Sequence, residues 1–235
     1  MKGDFYQRNR ERLIHELGDD GLVVVFGSSA AYRNAKGYYG RALDMNFFYL
    51  TGLDRSNAML AVWSEHGKLR ESLFIEKPDP DEEKWSGIRI SAEEATRITG
   101  VEDVRYLGEF DTFLDDRLAG ASNGALYLDI PDWFEKDVPP PIDTFVRAIG
   151  QRRPTTSIVN VRDVLSRMRM VKRPEEVECI RRAVKNAKAG IEAMMTAVKP
   201  GMYEYELQAV CYHLLHSRGE MKAAPMVAAG ANATR

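Results

Sequence analysis

Between residues 21 and 161 short β-branched or aromatic runs alternate with amphipathic stretches, and this alternation most limits what the chain can fold into. Strands interleaved with helices build a layered α/β structure, because each element must bury its apolar face against a neighbouring layer. The first run, Gly21-Leu-Val-Val-Val-Phe-Gly27, is β-branched, too short for a helix and bounded by glycines, so it reads as a strand. Further strands are predicted at 59–63, 72–75, 104–107, 125–130 and 157–161, and helices at 5–17, 91–99, 110–118 and 141–149. In the first helix Phe5, Arg10, Leu13, Ile14 and Leu17 fall at helical spacing, and Gly18 closes it. Glu65-His66-Gly67-Lys68 has the length and chemistry of a hairpin turn, so some neighbours are antiparallel and the sheet is mixed, with helices on its faces. Phe47-Phe-Tyr-Leu50, stopped by Thr51-Gly52, reads as another buried strand, and 28–41 and 77–84 read as polar loops.

The character changes after Asp163. Pro174 suits the first position of a helix, where its missing N–H costs nothing. Glu175, Glu176 and Glu178 follow in the first turns, where carboxylates complement the helix dipole. Val177, Ile180, Val184, Ala187, Ile191, Met194 and Val198 recur at steps of three and four, and Lys199-Pro-Gly201 ends the helix. A second helix over 203–217 carries Leu207, Val210, Cys211, Leu214 and Leu215 on one face, and Gly219 ends it. Residues 221–233 read as the start of a strand-containing segment. The expected domains are therefore 1–163 and 164–235. The second has amphipathic helices without the sheet they should cover, which favours dimerisation, disorder or aggregation.

Composition excludes several function classes. The net charge of -2, with 29% charged residues interleaved in sign, provides no basic stripe for nucleic acid. No long apolar run argues for a membrane span, and the charged N-terminus lacks the apolar centre of a signal peptide. Cys179 and Cys211 both fall in helical patterns, as buried thiols suited to a reducing cytoplasm. His213 and His216, three apart on a helix, could share a face as a metal pair, but no second cluster of His, Asp or Cys completes a site. His15 and His66 stand alone, and the acidic stretch Asp79-Pro-Asp-Glu-Glu83 lacks the pattern of a calcium loop. There is no phosphate-binding glycine loop and no nucleophile elbow. On these grounds alone the chain is an α/β domain followed by a helical hairpin.

Four stretches, in this order, carry a resemblance. They are Tyr6-Gln-Arg-Asn-Arg10 leading to Leu13; Tyr39-Gly-Arg-Ala-Leu-Asp44 with Phe47-Phe-Tyr-Leu-Thr-Gly52; Trp85-Ser-Gly-Ile-Arg89; and Arg167-Met-Arg-Met-Val-Lys-Arg-Pro-Glu-Glu176. The last continues into Ile180-Arg-Arg-Ala183, Lys199-Pro-Gly-Met-Tyr-Glu204 and Val227-Ala-Ala-Gly-Ala-Asn232. Together they resemble the Xaa-Pro aminopeptidase (aminopeptidase P and prolidase) group of creatinase-type metallopeptidases. The resemblance implies a creatinase/prolidase N-terminal-type mixed sheet with flanking helices, followed by the first helices of an incomplete pita-bread α+β domain. It also implies release of an N-terminal residue preceding proline, by a homo-oligomeric enzyme using two divalent metal ions, usually manganese.

The family's metal ligands lie beyond the Gly-Ala-Asn element, so no catalytic residue and no metal ligand is expected in this chain. One substrate contact is implied: Trp85, whose counterpart reaches a neighbouring subunit's pocket, with anchoring of its own loop as the alternative. Arg41 and Asp44 are implied as shaping a domain contact, or else forming a local ion pair. A non-catalytic oligomerisation or binding module of the same fold, and a prolidase- or creatinase-like hydrolase, are the rival readings.

Overall fold

The computed structural model describes residues 3–18, 21–27, 32–34, 37–38, 44–55, 57–120, 125–130, 141–219 and 225–234. They form two compact units, Met1–Val171 and Lys172–Arg235. The helix at 162–170, placed beyond the expected boundary after Asp163, packs with the first unit, where Leu165 and Met168 join the core. Among the described residues no helix is long and apolar enough to cross a membrane.

The first unit begins with α1 (Gly3–Leu17), β1 (Gly21–Phe26) and a small hairpin of β2 (Tyr32–Asn34) and β3 (Gly37–Tyr38). Next come α2 (Met45–Thr51), β4 (Met59–Glu65), β5 (Lys68–Ile75), α3 (Pro80–Ser86), α4 (Ala92–Thr99), β6 (Val104–Tyr106) and α5 (Phe110–Gly120). It closes with β7 (Ala125–Leu128), α6 (Pro141–Arg152), β8 (Ile158–Asn160) and α7 (Arg162–Met170). Six strands form one mixed sheet in the order β6-β5-β4-β1-β7-β8. The β1/β4 and β4/β5 pairs are antiparallel, and β5/β6, β1/β7 and β7/β8 are parallel. The predicted turn at His66 and Gly67 joins β4 to β5, both residues having positive φ.

Residue alternation sends the two faces of the central strands into two cores. Val23 and Val25 of β1 join Phe5, Leu13, Phe47, Leu50, Leu165 and Met168, while Leu22 and Val24 join Phe110, Phe113, Leu114, Ile142 and Ile149. Being covered on both faces explains why β1 is a near-continuous apolar run.

The run 47–50 is helical rather than a strand. Asp44 caps the helix by accepting from Phe47 N at 2.7 Å. Gly52 closes it at φ 74, its N–H donating to Phe48 O. A short apolar run does not distinguish a buried strand from a buried helix; the caps decide. Gly52 has a second duty, since a Cβ there would lie 2.3 Å from the Tyr6 ring. Part of the expected 77–84 loop is likewise a helix, α3, capped by Asp79 and started by Pro80.

One side chain ties the elements together. Arg10 has no solvent exposure, and its Nε and Nη2 donate to Glu71 at 2.6 and 3.0 Å. Its Nη1 donates to Leu50 O at 2.7 Å and to Thr99 O at 3.0 Å, at the C-terminal ends of α2 and α4.

The second unit contains α8 (Pro174–Ala197) and α9 (Glu204–Ser217). They approach closely at Gly190, where a Cβ would sit 2.8 Å from Cys211 Sγ. Glu204 accepts from Ala229 N at 2.7 Å and Asn232 Nδ2 at 3.1 Å, fastening the final segment to α9. These hydrogen bonds, the Ala229 N–H first, hold its carboxyl below the usual range. That segment differs from expectation: 225–229 forms no strand, and 230–234 is a 3-10 helix. Ile180, Val184, Ile191, Met195 and Val198 are exposed along α8.

Arg10→Ala should destabilise the first unit by about 3–5 kcal/mol in urea unfolding, because it strands the largely buried Glu71 carboxylate. The double variant R10M/E71M should recover part of that loss. Arg8→Ala, which removes an exposed pair with Asp4, should stay within about 0.5 kcal/mol of the parent.

Candidate functional site

The stretch that carries Trp85 is a closed local structure. Asp79 Oδ1 accepts from Asp81 N at 3.0 Å and Glu82 N at 3.3 Å, fixing the start of α3. Asp81, Glu82 and Glu83 then crowd the first turn, where the helix dipole favours them. Gly87 ends the helix at φ 87, and the chain turns back so that Arg89 faces the helix it has just left. Arg89 Nη1 donates to Lys77 O at 2.5 Å, Nη2 bonds the Glu82 carboxylate, and Arg89 N donates to Glu83 Oε1 at 3.1 Å. Glu76 lies 3.7 Å from the same guanidinium. Arg89 therefore holds the loop, and Trp85 is 92% exposed, with Ile88 82% exposed near it in sequence.

Asp44 sits in a second polar group. Besides its capping bond, burial first, and then the nearby Asp129 charge, push its carboxyl above the usual 3.8; the Phe47 N–H and Arg162 oppose this without cancelling it. Asp129, whose side chain is 5% exposed, accepts from Asn46 Nδ2 at 2.6 Å and from Arg162 Nη1 at 2.9 Å. Arg169 Nη1 donates to Asn46 Oδ1 at 2.6 Å, so the Asn46 amide bridges Asp129 and Arg169. Asn160 clamps the same corner by exchanging side-chain bonds with Ile130 N and O. Asn46, Asp129, Asn160 and Arg162 fall outside the four stretches that carry the resemblance, and only Arg169 lies within one of them. Arg41 lies outside the described residues.

The described residues do not fit a dinuclear metal centre. Among them no three His, Cys, Asp or Glu side chains come together as a metal site. His213 and His216 share α9, where the His216 ring packs 5.5 Å from that of Tyr212.

Two family patterns match the chain: the aminopeptidase P N-terminal domain over residues 6–127 and metallopeptidase family M24 over residues 178–234. The chain is 29% identical over 225 residues to Xaa-Pro aminopeptidase 3 of Homo sapiens, covering 92% of this chain and 43% of that protein. It is 25% identical over 220 residues to the Xaa-Pro aminopeptidase of Escherichia coli K12, covering 91% and 49%. A Bacillus anthracis structure assigned as an aminopeptidase P superposes with a TM-score of 0.87 at 33% identity, covering 93% of this chain and 52% of that one. The chain thus spans about half the length of the curated relatives it matches.

A folded carboxyl titrating above its unfolded value binds more protons in the native state, so stability falls as pH rises through that window. Wild-type stability relative to Asp44→Asn, which keeps a capping acceptor, should therefore decline as pH rises from below 3.8 to above the raised Asp44 value. Urea midpoints across that range test this. Asp44→Ala should cost about 1 kcal/mol more than Asp44→Asn through loss of the cap.

Proposed function

We propose a function from one premise: the chain belongs to the aminopeptidase P family of metallopeptidases. In a protein of that family it supplies the N-terminal domain and the first helices of the M24 unit of an Xaa-Pro aminopeptidase. Its substrate is a peptide with proline at the second position, from which the residue ahead of proline is released. The observation that carries this reading is the collinear match across 92% of the chain to a protein named for that activity.

The chain's own contribution is recognition rather than bond cleavage. The two divalent ions such an enzyme requires, manganese by resemblance, are not held by the described residues. Trp85 is the substrate contact: an indole presented at the end of a capped, Arg89-braced helix gives a large apolar area at little ordering cost. Its near-complete exposure suits a role in the pocket of another copy, so the working form is a homo-oligomer. Asp44 and its partners, with Arg41 nearby in sequence, brace the domain contact. The free thiols Cys179 and Cys211 are compatible with a reducing cytoplasm.

The purified chain with added manganese should leave an Ala-Pro-Ala peptide intact and retain no stoichiometric metal. Hydrolysis with bound manganese would overturn the division of labour. In a longer form that carries the metal centre, Trp85→Ala should lower kcat/KM by about tenfold, about 1.4 kcal/mol, without changing the melting temperature. An unchanged kcat/KM would remove Trp85 from the site.

A further inference from the structure

We infer that Arg89 is a positioning residue for Trp85, keeping the indole where a substrate would meet it. The role rests on the reading of Trp85 as the substrate contact and concerns how that contact is held in place. The chain leaves the first core at Ile75, runs through α3 and returns at Ile90, both buried in the same cluster. None of the described side chains of α3 is buried, and none belongs to either core. Apolar packing therefore does not hold this helix. With seven residues it is also too short to persist alone, because nucleation is costly and few hydrogen bonds follow to offset it.

Arg89 supplies the missing constraint. Its side chain is 17% exposed and stands where the excursion rejoins the core. Nη1 donates to Lys77 O, twelve positions back and ahead of the helix, at 2.5 Å. Nη2 bonds Glu82 in the first turn, and Glu76, just past β5, lies 3.7 Å away. The main chain joins in: Arg89 N donates to Glu83 Oε1 at 3.1 Å, and Gly87 N donates to Glu83 O at 3.1 Å. One residue thus links the segment before α3, its first turn and its exit, and Trp85 lies between those ties. A planar guanidinium can do this because it donates in several fixed directions at once. The Lys84–Asp81 pair on the same helix is exposed at both ends and adds little.

Trp85 is 92% exposed, so its place follows from the α3 backbone rather than from packing of the ring. Loss of Arg89 should let α3 fray while both cores stay intact. An indole on a frayed segment must be ordered again whenever it binds. That ordering cost weakens substrate binding and leaves the chemical step unchanged.

The full chain labelled with 5-fluorotryptophan gives one fluorine resonance per tryptophan, and Trp85→Phe identifies the Trp85 signal. Arg89→Ala should move that signal toward its position in unfolded chain and speed hydrogen exchange at the Gly87 amide about tenfold. The other two tryptophan signals should stay in place. Glu82→Ala, at a carboxylate 63% exposed, should act in the same direction to a smaller extent. Arg97→Ala, which removes an exposed pair on α4, should change nothing. In a longer form that carries the metal centre, Arg89→Ala should raise KM about fivefold at constant kcat. It should add nothing further in a Trp85→Ala background. An unmoved Trp85 signal in both Arg89→Ala and Glu82→Ala would overturn the inference. So would a KM that Arg89→Ala leaves alone where Trp85→Ala raises it, or losses that simply add in the double variant. Where Trp85→Ala itself leaves KM unchanged, the substrate contact fails and the positioning role falls with it.

Discussion

A guanidinium removed entirely from water must have every donor direction answered, and Arg10 has its answers from three different elements. Glu71 of β5 accepts from Nε and Nη2, and the carbonyls of Leu50 and Thr99 both accept from Nη1. Those carbonyls lie at the negative ends of α2 and α4, so the charge also complements two helix dipoles. Placing α1 correctly therefore fixes where α2, α4 and β5 stand. Asn9 adds a neighbouring bond to Tyr49 O at 2.8 Å, and Phe5 and Tyr6 pack edge-on against each other at 5.2 Å. Polar specification and apolar burial act on the same helix face.

Charge serves differently on the surface. Around α3 the acidic residues and Arg89 bond to one another over a few positions, and Trp85 on that helix is exposed. Around Asp44 the charges are drawn from distant segments and partly buried, joining α2, the end of β7 and α7. The first arrangement is local; the second joins distant segments. Both stand on a unit whose two cores are already complete, so neither is needed to bury apolar surface.

The second unit has the opposite balance. Its two helices meet tightly where Gly190 admits Cys211, yet Ile180, Val184, Ile191, Met195 and Val198 remain exposed along α8. The amphipathic pattern is intact while much of its apolar face has no cover among the described residues. Such a face is an incomplete core, in keeping with an M24 pattern matched over only residues 178–234.

Elements with a local signature were legible in the sequence: the glycine-bounded β1, the β4–β5 hairpin, and the long helix begun by Pro174. So were the motifs that resemble the aminopeptidase P group, because they are short and collinear. The run 47–50 was misread because apolar content alone does not separate a buried strand from a buried helix; Asp44 and Gly52 carried the missing signal as caps. The partners Asn46, Asp129 and Arg162 had no such signal. By itself the sequence determined the strand and helix periodicities and the family, since these depend on neighbouring residues. Only the tertiary structure decided that Arg10 goes inside while Trp85 goes out, because burying a charge depends on partners 40, 61 and 89 positions away.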